Sequence, residues 1–154
     1  DAFVETLALF DENSLPYYGG GMTAEAGQQP WFVEHNGNKL AFIGCNAAGP
    51  ENVWATDEKP GAAPCDIEWL AETVRQLRED GYLPIVTFQH FELEDYQPVS
   101  KQRVDMLRMA REGAVVAAAA RAWARSASAA AARGAEVVTD TAADTAASVV
   151  EVRL

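Results

Sequence analysis

Short apolar segments alternate with amphipathic ones through the middle of the chain, and this order constrains the fold more than any other feature of the sequence. The apolar segments are residues 39–45, 83–89 and 114–116. Residues 64–80 and 99–112, which separate them, have the spacing of helices that bury one face. Strands that alternate with helices predict an α/β fold with a parallel sheet.

The residues before this region predict a helix and a hairpin. Phe3, Leu7 and Phe10 lie on one helical face at the start of the chain. Residues 31–35 and 39–45 flank Asn36-Gly37, the dipeptide that most readily forms a two-residue turn between antiparallel strands. Little periodicity follows in residues 47–63, so we interpret them as a long loop.

The composition changes near Ala117. From there to Ser148 about half of the residues are alanine, so the segment has low complexity and few large side chains to bury. Alanine favours helices, which predicts a weakly held helix over residues 117–132. Residues 148–154 alternate apolar and polar side chains and predict a terminal strand.

Charge and hydropathy exclude several classes of function. The formal net charge is −11, a sign that opposes binding to nucleic acid or to an anionic membrane. Arg121, Arg125 and Arg133 interrupt the alanine-rich stretch, so no apolar run is long enough to span a bilayer. We therefore expect neither a nucleic-acid partner nor a transmembrane helix; the oligomeric state cannot be read from these features.

The two cysteines, Cys45 and Cys65, lack the spacing of a zinc knuckle or a redox motif. We expect two buried free thiols, because the long loop between them gives no reason for a close approach. A disulfide and a metal site are the alternatives.

His90 is the most promising site residue in the sequence. It follows the apolar run 83–89 directly, and the carboxyl ends of parallel strands are where open α/β sheets bind their ligands. Glu92, Glu94 and Asp95 come immediately after it and could add carboxylate ligands or accept protons. The alternative is a surface histidine beside a solvated acidic loop. His35, the other histidine, is predicted to be an exposed neighbour of the hairpin turn.

Several motifs occur in an order that resembles a known family. They are Thr6-Leu7, Tyr18-Gly19-Gly20-Gly21, Glu25-Ala26, Pro30, Asn36-Gly37-Asn38-Lys39, Ala41-Phe42-Ile43-Gly44, residues 85–94, Pro98, Gln102-Arg103 and Glu112-Gly113-Ala114-Val115-Val116. Over residues 1–116 this order resembles the bacterial capsule synthesis protein CapA family, the poly-γ-glutamate biosynthesis proteins.

The resemblance implies a calcineurin-like metallophosphoesterase fold, in which two mixed sheets are flanked by helices and metal ligands lie at strand ends. This chain would be a fragment of that sandwich. His90 matches the histidine of the family's His-Trp-Gly motif and is the implied metal ligand. Glu94 matches the acidic residue that follows, so His90 and Glu94 are the candidate catalytic residues. Manganese, iron or zinc is the implied cofactor.

The sequence also departs from the family pattern. Phe91 and Glu92 stand where the family has Trp and Gly, and its Gly-His-His-Pro-His motif is absent after Val116. We therefore expect residues 1–116 to be the C-terminal part of the family domain, without its amino-terminal half. Residues 117–154 would be an alanine-rich tail that is divergent, mis-assembled or read out of frame.

Two functions follow from the resemblance. The first is a poly-γ-glutamate capsule biosynthesis protein with a metal-dependent phosphoesterase-like site. For its location the family suggests the cell envelope or another extracytoplasmic place. The alternative is a non-catalytic accessory or scaffolding domain that works with the machinery of capsule-polymer synthesis or export.

Overall fold

The computed structural model describes residues 1–90, 100–121, 136–141 and 148–153. The α-helices within these ranges are α1 (Ala2–Glu12), α2 (Ala24–Gly27), α3 (Ile67–Glu79) and α4 (Ser100–Glu112). The strands are β1 (Gly20–Gly21), β2 (Trp31–His35), β3 (Asn38–Asn46), β4 (Gly61–Ala62), β5 (Leu83–His90), β6 (Val116–Arg121), β7 (Glu136–Thr141) and β8 (Ser148–Arg153).

Six strands form a mixed sheet in the order β2-β3-β5-β6-β8-β7. Strand β5 is parallel to both β3 and β6, whereas β2 and β7 pair antiparallel with their neighbours. β1 and β4 form a separate two-stranded antiparallel sheet. The predicted α/β class and the strand–helix–strand order are therefore confirmed. This mixed sheet with flanking helices is consistent with a fragment of a calcineurin-like sandwich.

Helices α3 and α4 pack on the sheet and bury the core with it. The largest fully buried side chains in this core are Phe88, Ile43, Leu70 and Met109. α3 begins where Asp66 accepts hydrogen bonds from the backbone amides of Glu68 and Trp69, and the chain leaves it through Gly81 at φ 82°. The helix thus begins at Ile67, three residues later than the predicted start at residue 64.

The hairpin forms as predicted. Trp31 pairs with Phe42 and His35 with Asn38, so the two residues between the strands are Asn36 and Gly37. Both have positive φ, 50° and 78°, which this turn type requires. The predicted loop 47–63 is largely confirmed, although it contains a short 3-10 turn, Glu51–Val53, and strand β4.

The start of the alanine-rich segment is a strand, and the predicted helix over residues 117–132 is wrong there. Val116–Arg121 pairs with β5 along its length, from Val116 opposite Ile85 to Arg121 opposite His90. Pairing with an ordered neighbour outweighs the helix propensity of four consecutive alanines. The rest of that predicted helix lies outside the described residues. The predicted terminal strand is confirmed as β8.

The expectation of free thiols is also wrong, since Cys45 and Cys65 form a disulfide with Cα atoms 4.9 Å apart. Backbone contacts bring the cysteines together: the amide of Asn46 donates to the carbonyl of Ala63, and the amide of Cys65 donates to the carbonyl of Asn46. The end of the loop thus runs beside the end of β3, an approach that the intervening sequence did not indicate.

Candidate functional site

His90 is the last residue of β5 and lies on the face of the sheet that α3 and α4 cover. Burial alternates along the strand, so His90 shares its face with Phe88 and Val86 of the core. Its side chain is 6% exposed, and its ring centroid lies 5.4 Å from that of Phe88. The predicted position at the carboxyl end of a parallel strand is confirmed, but the ring is packed inside the protein and is not on its surface.

Asp105 of α4 faces the imidazole. Its Oδ2 atom lies 3.7 Å from His90 Nε2, and its side chain is 7% exposed. The same oxygen accepts a hydrogen bond from Lys101 Nζ at 2.8 Å, one helical turn earlier, while most of the lysine side chain stays in solvent. Two buried side chains and one exposed cation therefore form a polar cluster between sheet and helix.

Burial controls the protonation of His90. It lowers the pKa of the imidazole below its usual value of 6.5, since the charged form loses its hydration. Asp105 opposes this effect by raising the pKa, and Lys101 adds to the lowering. The result favours the neutral ring, which is the form that binds metals.

The metal that the family resemblance implies can be tested against these residues. A neutral, buried imidazole at a strand end is a suitable donor for manganese, iron or zinc. A catalytic ion needs about three protein ligands, and the described part of the chain contains no cluster of three His, Cys, Asp or Glu side chains. His90 therefore fits as one ligand. Glu94, with Glu92 and Asp95, lies outside the described residues.

The opposite face of the sheet carries a second polar region at the same strand ends. Thr87 and Gln89 of β5 pair with Gly44 and Asn46 of β3, and these residues line an open cavity of about 180 Å³ with Tyr18. Asn46 Nδ2 donates to Gln89 Oε1 over 3.4 Å. Among the residues that the structure describes, those that line this cavity are uncharged, so they offer no charged ligand for an ion.

The aromatic side chains near the hairpin pack on one another, and His35 lies at the hairpin turn. Tyr18 and Trp31 stack with ring centroids 6.4 Å apart, and Trp31 lies 4.9 Å from Phe42. His35 is exposed at the hairpin turn, as predicted, and its Nε2 atom lies 3.0 Å from Asn36 Nδ2. None of these residues lies in the cluster around His90.

Sequence reasoning missed Asp105. The signal was available, because Gln102, Asp105, Met106 and Met109 follow the i, i+3, i+4, i+7 spacing of one helical face, and all four are buried. An acidic residue on the core face of a helix requires a partner inside the protein. That spacing, read with the expected strand-end histidine, would have indicated Asp105.

None of the described helices has the length and apolar character needed to cross a membrane. The sequence matches the family of bacterial capsule synthesis proteins, PGA_cap, over residues 1–141. The match continues past Val116 into the alanine-rich segment, beyond the 1–116 that the motifs indicated. The division into two regions at residue 116 stays a prediction. No curated protein matches the chain significantly.

Proposed function

Because the chain belongs to the bacterial capsule synthesis protein family, we propose that it acts in the biosynthesis of a poly-γ-glutamate capsule. We further propose that His90 contributes one ligand to a metal-dependent phosphoesterase-like site. The observation that carries this proposal is the buried imidazole at the carboxyl end of β5, where burial lowers its pKa and favours the neutral form.

The chemistry of such a site divides between the metal and the protein. A bound divalent ion polarises a phosphoryl oxygen and lowers the pKa of a coordinated water. His90 offers an uncharged nitrogen donor, and the core around Phe88 keeps water away from one side of its ring. Glu94 supplies the second candidate group, as a ligand or as a proton acceptor.

Charge limits how the chain can hold its polymer. Poly-γ-glutamate is anionic, and the chain has a net charge of −11, so bulk attraction cannot retain the polymer. A divalent cation that bridges protein and polymer carboxylates removes this repulsion. Metal and polymer binding would therefore be coupled. We further propose that the partners of the chain belong to the machinery of polymer synthesis or export.

The disulfide supports a location in the cell envelope. Disulfides such as Cys45–Cys65 persist in oxidising surroundings and are rare in the cytosol. A capsule lies outside the cell, so an oxidising location, which the disulfide needs, is consistent with the proposed function.

The alternative function is a non-catalytic accessory or scaffolding domain. The ligand count favours it, because His90 and Glu94 together supply at most two ligands and a two-metal phosphoesterase site needs more. For the chain alone we therefore expect weak binding of a divalent metal and no useful rate of phosphoester hydrolysis.

Calorimetry with manganese and zinc, run on the wild type and on His90→Ala, tests the proposal. His35→Ala is the matched control, because it removes an exposed imidazole outside the cluster. We expect weak binding by the wild type and by His35→Ala, and its loss in His90→Ala.

The other outcomes are equally clear. Tight binding abolished by His90→Ala would mean that further ligands complete the site within this chain, and would favour catalysis. Equal binding by the wild type and His90→Ala would remove His90 as a ligand and leave the scaffolding function.

A further inference from the structure

We propose that Asp105 is a positioning residue that holds the His90 imidazole in a single tautomer, with the ring proton on Nε2 and the lone pair on Nδ1. This inference rests on the proposed function, because the tautomer matters only if His90 binds a metal. It specifies Nδ1 as the nitrogen that would coordinate the ion.

The first argument is the burial of Nε2. In the described part of the chain this nitrogen is buried without a hydrogen-bond partner. A buried polar atom without a partner is costly, so something must satisfy it. The structure brings the Oδ2 atom of Asp105 to 3.7 Å, about 0.8 Å beyond the usual hydrogen-bond distance. A closer approach of this oxygen would satisfy the nitrogen.

The second argument is electrostatic. A carboxylate accepts hydrogen bonds and donates none, so a neutral ring that faces Asp105 is stabilised when Nε2 carries the proton. The other tautomer would direct the Nε2 lone pair at a negative oxygen inside the protein, where little solvent screens the repulsion. The tautomer of a histidine ring is commonly set in this way by the partner of its second nitrogen.

The third argument is that Asp105 is unsuited to bind the metal directly. The oxygen that faces His90 already accepts the ammonium of Lys101 at 2.8 Å. A metal ion on that oxygen would bring a second cation against the lysine, which is unfavourable at a buried carboxylate. Asp105 therefore acts through the imidazole, and Nδ1, which carries no proton in this tautomer, is left as the donor for a metal.

Nitrogen-15 NMR of the metal-free protein tests the proposal, because the two tautomers give different ring-nitrogen shifts. The spectra are taken at a pH of about 8, above the usual histidine pKa of about 6.5, so that the ring is neutral. In the wild type we expect His90 almost entirely with the proton on Nε2. In Asp105→Asn the ratio of the Nε2–H to the Nδ1–H form should fall on the order of tenfold, as the loss of a bond to a charged group implies.

His35 serves as an internal control in the same spectra. His35 is exposed and lies outside the cluster, so its ring-nitrogen shifts should not change in Asp105→Asn. Lys101→Gln is a second variant that removes only the exposed cation. It should keep the Nε2–H tautomer, because the carboxylate remains.

Three results would overturn the proposal: a wild-type His90 with its proton on Nδ1, an unchanged ratio in Asp105→Asn, or loss of the Nε2–H form in Lys101→Gln. The wild-type spectrum decides even if Asp105→Asn fails to fold. Since no metal is present, these outcomes are distinct from those of calorimetry, where a chain that binds no metal would remove the proposed metal site and leave the tautomer of His90 standing.

Discussion

Gly44 lies on β3 at a point where neighbouring side chains leave no room for another. A Cβ atom there would meet Thr87 Oγ1 at 2.6 Å and Tyr18 Cε2 at 3.2 Å. The absence of a side chain lets Tyr18 approach the sheet, where it also packs on Trp31 and Phe42. One glycine thus fixes both the aromatic packing and the wall of the nearby cavity.

We expect Gly44→Ala to destabilise the protein by about 1–3 kcal/mol, the usual cost of forcing atoms into a packed space. Denaturant unfolding measures this loss. The double variant with Thr87→Ala should recover part of it, because the closest clash is removed. Gly37→Ala is the control for backbone strain alone, since Gly37 has φ 78° and open space around its Cβ position. Equal stability of Gly44→Ala and the wild type would contradict the tight approach.

At the scale of elements, the sequence predicted what local signals determine. α3 has a capping aspartate, an apolar face and an exit glycine, and the hairpin has a two-residue turn whose conformation few other dipeptides adopt. β6 could not be predicted in the same way, because its alanines favour helix and become a strand only beside β5. The same holds for the candidate site. The position of His90 could be predicted from the apolar run that precedes it, whereas its contact with Asp105 depends on how α4 packs on the sheet.

The cap of α3 gives a prediction at this scale. Asp66 Oδ1 accepts from the amides of Glu68 at 3.0 Å and Trp69 at 3.1 Å. Asp66→Ala should therefore cost about 1 kcal/mol of stability, and Asp66→Asn should cost less, because asparagine is also a good cap. Asp80→Ala, at the other end of the helix, is the matched control and should be close to neutral. Thermal unfolding would contradict the assignment if both alanine variants behaved alike.

At the scale of the whole molecule, the disulfide connects parts of the fold that the pairing of strands does not hold together. The Cys45–Cys65 disulfide closes a loop with a sequence separation of 20 residues, which carries the 3-10 turn and β4. Cys45 belongs to the core cluster, and Cys65 packs against it just before α3. The bond therefore holds the loop, the end of β3 and the start of α3 together, close to the cavity lined by Asn46.

Replacing both cysteines by alanine should lower the free energy of unfolding by about 3 kcal/mol, the loop-closure entropy expected for this separation. Denaturant unfolding of the oxidised wild type and the double variant measures the difference. The wild type unfolded under reducing conditions is the matched control and should lose a similar amount, since it lacks the bond but keeps both sulfur atoms. A thiol titration of the denatured, unreduced protein should find no free thiol and, after reduction, two. Two thiols before reduction would show that the cysteines are not bonded, and would remove the redox argument for a location in the cell envelope.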